Sequence, residues 1–208
     1  MMASQILLSY VITEEEPLDA GKELRRARRA RGFTVRKLAE LAGTSAAAIS
    51  QIENGARGVS VERYSSLLSK TRNRLISLPT LANTAVEVAE SIASFLAEND
   101  NQAAYREFIS FSDSLRKQSP GIRVAITLVA PETTGSALYD AAIAALVEHW
   151  LSEASSPLPD WLENADLFLP ELQHLREGIY GPTPEPEEVS AAFLRHNVLF
   201  PEVAMESV

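Results

Sequence analysis

With 208 residues, 46% hydrophobic and 23% charged, the chain has the composition of an ordinary globular protein of one large or two small domains, and no disordered class is implied. The lack of cysteine excludes disulfides and thiolate metal sites and removes any need for an oxidising compartment, so cytoplasm is the expected setting. The net charge of −9 is unevenly spread: Leu18 to Arg74 holds thirteen Lys or Arg against five acids, whereas from Leu75 onward six basic residues face twenty acids.

Residues 5 to 12 are rich in β-branched and aromatic types and read as a short strand or extended arm, assigned to an N-terminal arm over 1–17. The apolar run there lacks a basic stretch before it and falls far short of the roughly 20 residues of a bilayer span, so neither a signal nor an anchor is expected. A helical pattern begins at Leu18, with Asp19 near its start and an Arg-rich turn near its end, as the helix dipole favours. Gly32 ends it.

Thr34 then opens two short helices, Val35 to Ala42 and a second after Ser45, separated by Gly43 and closed by Gly55. Leu38 and Leu41 stand three apart in the first, and Ile49 and Ile52 repeat the spacing in the second, so each has an apolar side to bury against the other. Ser45 is placed to cap the second helix, while Ala46, Ala47, Ser50 and Gln51 fall on a side the isoleucines leave open. That layout is a helix-turn-helix. A further helix over residues 60 to 70 offers Val61, Tyr64, Leu67 and Leu68 to the same small core.

Thr71 to Thr80 reads as an extended connector, because Leu78 precedes a proline and is pushed away from the helical region; the linker is placed at 73–80. Thr84 and Glu87 form a capping-box pattern, and Leu81, Ala85, Val88, Ala89, Ile92, Phe95 and Leu96 make an amphipathic helix to about Glu98. Asn99 to Asn101 breaks it, and a second amphipathic helix runs from about Gln102 to Lys117. Ile122, Val124, Ile126 and Leu128 alternate as in a strand, yet no second convincing strand follows, so a short buried helix started by Ser119-Pro120 is favoured. Ala137 to Glu153 is apolar nearly all round and should be the central helix of a second core. Prolines punctuate the rest, with Glu185 to Arg195 expected as a helix started by Thr183-Pro184 and ended by a left-handed Asn197.

Leu24 to about Leu68 resembles the Cro/repressor (Xre) family of DNA-binding domains, through Thr34, Leu38, Ala39, Gly43, Ile49, Ser50, Glu53 and Gly55. The resemblance implies a five-helix fold over 18–72 in which Thr34 caps the first helix of the motif and Gly43 makes its turn. It places Ser45, Ala46, Ala47 and Gln51 at base edges and phosphates, and the full set of expected DNA-contacting residues is Thr34, Arg36, Lys37, Ser45, Ala46, Ala47, Ser50, Gln51, Asn54 and Arg57. Val35 stands where the family often has a glutamine, and Ala46 and Ala47 stand where it often has polar readers. The downstream part of the chain, in which the second domain is placed at 81–208, resembles the C-terminal region found behind the same DNA-binding domain in a group of bacterial regulators, several of them antitoxin-like, through Arg74-Leu75 with Pro79-Thr80, Tyr139-Asp140-Ala141 with Ala145 to His149, Pro159-Asp160-Trp161, and Phe193-Leu194-Arg195 with Val198-Leu199.

The expectation is thus an all-α protein: a basic helix-turn-helix domain joined to a mainly helical, acidic domain for dimerisation or partner binding. A double-stranded DNA operator and a second copy of the chain are the expected partners; the alternative adds a protein toxin bound by the acidic domain. No cofactor, metal site or membrane contact is expected, and none of the phosphate-cradle or nucleophile-elbow patterns that would indicate an enzyme occurs. His149 and Glu153, four apart on one helix, are the nearest approach to a metal-ligand spacing, and a solvated or capping role is the simpler reading.

Overall fold

The computed structural model describes residues 20–176 and 183–205, so the expected arm at residues 5 to 12, and Leu18 with Asp19, lie outside the described residues. The chain is mostly helical, with nine α-helices and two short strands among the described residues, and it divides into two compact units between Ser77 and Leu78. That division falls inside the stretch expected as linker.

The first unit contains α1 (Ala20–Ala30), α2 (Val35–Leu41), α3 (Ala46–Glu53) and α4 (Val61–Lys70). Leu24, Leu38, Ala39, Ile49, Ile52, Tyr64, Leu67 and Leu68 form its core. Of the five helices implied by the family resemblance, these four are formed among the described residues. Past α4, Arg72 turns left-handed at φ 62°, and the Arg72 and Asn73 amides bond back to the Ser69 and Leu68 carbonyls, which closes the helix. Two residues expected in this core lie at the surface instead: Leu41 is 40% exposed and Val61 66%. α2 turns Ala39 inward beside Leu38, one residue round from the expected stripe, and α4 needs only Tyr64, Leu67 and Leu68 to cover the core.

In the second unit α5 (Ala85–Ala97) and α6 (Asn101–Lys117) form an αα-hairpin. The Thr84/Glu87 capping box starts α5, and Asn99, left-handed at φ 61°, with Asp100 accepting from the Ala103 amide, makes the break between the two. Leu81 stays outside α5 and is 93% exposed, because the cap at Thr84 sets the first helical residue at Ala85. α7 (Pro120–Thr127) is a helix, not a strand; Pro120 supplies its first turn, while Ser119 makes no side-chain capping bond.

α8 (Ala137–Glu153) is buried on nearly every side, from Tyr139 through Ala141–Glu148 to Trp150 and Leu151. Phe108, Phe193 and Phe200 meet beside it, with ring centroids 5.4 Å apart for both Phe108–Phe200 and Phe193–Phe200. The proline-rich remainder packs as short pieces. β1 (Gln173–His174) and β2 (Val198–Leu199) pair in parallel, a contact that neither segment advertises by length. The helix expected over Glu185 to Arg195 is interrupted: Pro186–Glu188 is one 3-10 turn begun by Glu185, Val189 is extended, and only Ala191–Arg195 is helical (α9). Pro186 starts the turn, and Val189 leaves it to bridge Pro201. Asn197 is left-handed at φ 57°, as expected.

A cluster of charged side chains holds these pieces to α8. Arg195 donates to the Glu148 carboxylate at 2.8 Å and to both Glu163 oxygens at 2.8 and 2.9 Å. The fully buried His196 ring places one nitrogen 3.0 Å from Glu148 Oε2 and the other 2.7 Å from the Leu167 carbonyl oxygen. Phe168 stacks on that ring at 4.5 Å.

The Glu153 carboxylate is 3.1 Å from Arg123, and no group of three or more metal-capable side chains occurs among the described residues. Burial holds the His149 pKa below its ordinary 6.5, opposed by the nearby Glu202 and Glu153 carboxylates. As pH falls through 6.5 the unfolded chain takes up a proton that the folded ring resists, so folding stability is lost below that pH and not above it. His149→Gln should therefore shrink the fall in the urea midpoint of the second unit between about pH 7.5 and about pH 5.5. A slope unchanged by the substitution would mean that the ring is not desolvated.

Candidate nucleic-acid interface

The helix-turn-helix is built from two capped helices and a glycine turn. Thr34 Oγ1 accepts from the Lys37 amide at 3.1 Å and Ser45 Oγ accepts from the Ala48 amide at 3.1 Å, so each hydroxyl satisfies one orphan donor and keeps its own hydrogen to give. Between them Gly43 takes φ 61°, where a side chain would be strained, and the Thr44 amide closes on the Ala39 carbonyl at 2.9 Å. Ile49 and Ile52 bury one side of α3.

On the other side Ala47 and Gln51 are exposed, one helical turn apart, and Ser50 is half-buried beside them. Ala46 is half-buried and packs against the core, which limits what its methyl group can offer outward. Thr34, Arg36, Lys37, Ser45, Asn54 and Arg57 are exposed. The loop after α3 folds back on it through the Arg57 amide, which donates to the Gln51 carbonyl at 3.2 Å, so Arg57 sits at the C-terminal end of α3. Lys37 reaches Glu40 at 3.2 Å, an exposed pair one helical turn apart. Arg63 points toward the turn, its Nη2 3.5 Å from the Ala42 carbonyl oxygen.

Sequence reading missed the charged pair that holds α3 in place. Arg28 of α1 donates to both carboxylate oxygens of Glu53, from Nε at 2.6 Å and from Nη2 at 2.8 Å, and its Nη1 donates to the Phe33 carbonyl at 2.7 Å. Both residues are buried, and the hydrogen bonds that Arg28 donates to Glu53 raise its pKa against the opposing effect of burial. The signal was present in the spacing. Arg28 stands four residues after Leu24 and Glu53 four after Ile49, so each charge lies on the apolar stripe of its own helix, where only a partner makes it tolerable. Arg25 adds a second tie, donating from Nη2 to the Glu53 carbonyl oxygen at 2.9 Å and to the Asn54 side-chain oxygen.

Residues 19–71 match a family model described as a helix-turn-helix domain. No curated protein and no solved structure matches the chain. Together with the exposed cations of the first unit, the match supports a DNA-binding regulator. No helix among the described residues is long and apolar enough to cross a membrane.

Glu53→Ala should destabilise the first unit by about 3–5 kcal/mol, because it strands a buried guanidinium, and replacing both partners by apolar residues should cost less than that single change. Thermal or denaturant unfolding of the two variants checks the order. A single variant that lost no more than the double one would show the pair to be solvated.

Proposed function

We propose that the chain is a sequence-specific transcriptional regulator, acting as a repressor, whose first unit lays α3 into the major groove of an operator. The observation that carries this reading is the outward strip formed by the cap Ser45 with Ala47, the half-buried Ser50 and Gln51 of α3, flanked by the cations Arg36, Lys37 and Arg57 within a segment of thirteen basic and five acidic residues. One such helix reads few base pairs, so the active form is a homodimer on two half-sites.

Arg36, Lys37 and Arg57 flank the strip without lying on it, and their work is on phosphates, where charge matters and sequence does not. Alanine at any one of them should weaken binding to every duplex and lower the slope of log affinity against log salt by about one unit. An unaltered slope would remove that residue from the interface.

Base reading falls chiefly to Gln51, with Ser45 and Ser50 assisting, because Ala46 and Ala47 offer only methyl groups, which suit the thymine methyl. A bidentate glutamine-adenine contact is worth roughly 1–3 kcal/mol of discrimination. The rest of the specificity comes from DNA shape and half-site spacing. Duplexes selected from a random pool should therefore carry two half-sites about 10 base pairs apart, and Gln51→Ala should flatten one position in each while leaving affinity for random duplex nearly unchanged. Full retention of the parent's preference would move the reading face elsewhere.

A second reading adds neutralisation of a protein toxin by the acidic second unit, with autoregulation of the same operon. It rests on the charge of that half, six basic residues against twenty acids from Leu75 onward. Purification of the native protein separates the two readings: a basic toxin co-eluting at stoichiometric amounts supports the second, and recovery of the regulator alone from an operon with no toxic neighbour removes it.

A further inference from the structure

We propose that Arg25 is a positioning residue for DNA binding, fixing the Asn54 amide so that its nitrogen, not its oxygen, faces a backbone phosphate. The inference rests on the reading of the first unit as a DNA-binding module and adds a role for a residue outside the recognition strip.

Asn54 caps the C-terminus of α3, with Gly55 left-handed behind it at φ 70°, and its side chain is exposed. An exposed asparagine amide would ordinarily turn freely between two orientations, one donating and one accepting toward a given neighbour. Here one orientation is excluded by chemistry. A guanidinium has five donors and no acceptor, so the group that meets Arg25 Nη2 has to be the Asn54 oxygen, and the NH2 group is left on the opposite side. One N–H there points toward Ser50 Oγ at 3.5 Å, and the other is available to a ligand.

Arg25 is itself immobilised. Its Nη2 lies 2.9 Å from the Glu53 carbonyl oxygen and its Nε 3.7 Å from the Glu53 carboxylate, which Arg28 already anchors from the other side. The side chain is about one-third exposed, so it remains near solvent while its head group is shared among Glu53 and Asn54. Phosphate oxygens accept hydrogen bonds and give none. The amide orientation imposed by Arg25 is therefore the productive one, and the flipped amide would set oxygen against oxygen. The guanidinium also places positive charge at the negative end of α3, where an approaching phosphate would otherwise meet bare carbonyls.

The test compares Arg25→Lys, Asn54→Ala and the double variant for binding to a duplex that the parent binds, across a salt series. Lysine keeps the charge but not the planar fork, so Arg25→Lys should lose about as much affinity as Asn54→Ala, about tenfold, with the salt slope unchanged, and the double variant should bind no more weakly than either. Asn54→Asp keeps a partner for Arg25 and removes the donor, and it should bind at least as weakly as Asn54→Ala. Losses that add in the double variant, or an Arg25→Lys or Asn54→Asp protein that binds like the parent, would overturn the proposal. If Arg25 acted only as a structural brace, the lysine variant would unfold at lower temperature and its loss would add to that of Asn54→Ala. A parent that bound no duplex would overturn the DNA-binding reading as well, whereas a binding parent with additive losses overturns this inference alone.

Discussion

The first unit depends on one buried ion pair. Arg28 and Glu53 are drawn out of water in a core of only eight apolar residues, where an unpaired charge of either sign would be untenable. The geometry is what makes the burial possible: two parallel bonds from guanidinium to carboxylate, with a third from the guanidinium to the Phe33 carbonyl. Because Glu53 is the last residue of α3 and Phe33 precedes α2, one side chain of α1 ties together both halves of the helix-turn-helix. An apolar replacement could supply comparable packing, but it would not specify how α3 is rotated about its axis. The rotation of α3 sets which of its side chains face outward, Ala47 and Gln51 among them.

The same pair changes how the charge count should be understood. Thirteen basic residues between Leu18 and Arg74 look like one undivided patch in the sequence. In the folded unit Arg28 is buried against Glu53, Arg25 is turned to Glu53 and Asn54, and Arg26 lies beside Glu23. Exposed cations are found on α2, on α4, at both ends of α1 and in the turns, among them Lys22, Arg29, Arg31, Arg36, Lys37, Arg57, Arg63 and Lys70. Three cations of α1, Arg25, Arg26 and Arg28, are thus engaged within the unit, while Arg36, Lys37 and Arg57 stay exposed beside α2 and α3.

The second unit meets a different constraint. α8 is apolar nearly all round, so it must be covered on every side, and α5 to α7 leave part of it for the proline-rich C-terminal pieces. Those pieces are too short to be stable alone, and they are held by aromatic packing of Phe193 and Phe200 and by the buried cluster around Glu148. Glu148 is the one acid in the middle of the most buried helix, and it is satisfied by Arg195 and His196 from the segment that covers it.

What the sequence by itself determined was local. Capping hydroxyls at Thr34 and Ser45, the box at Thr84 and Glu87, and glycine or asparagine at left-handed turns act within a few residues, so α2 to α6, α8 and the helix-turn-helix were legible from spacing, whereas the alternating apolar residues of α7 read equally as a strand. Periodicity misled at three positions: Leu41 and Val61 fit apolar stripes yet lie at the surface because neighbouring side chains close the core, and Leu81 lies before the cap at Thr84 and so outside α5. The Arg28–Glu53 pair, the Arg25 grip on Asn54, the β1–β2 pairing and the cluster about Glu148 join residues 25 to 48 positions apart. Such contacts have no local signature, since a charge on an apolar stripe shows that a partner must exist without naming it. Only the tertiary structure decided which residue answers which.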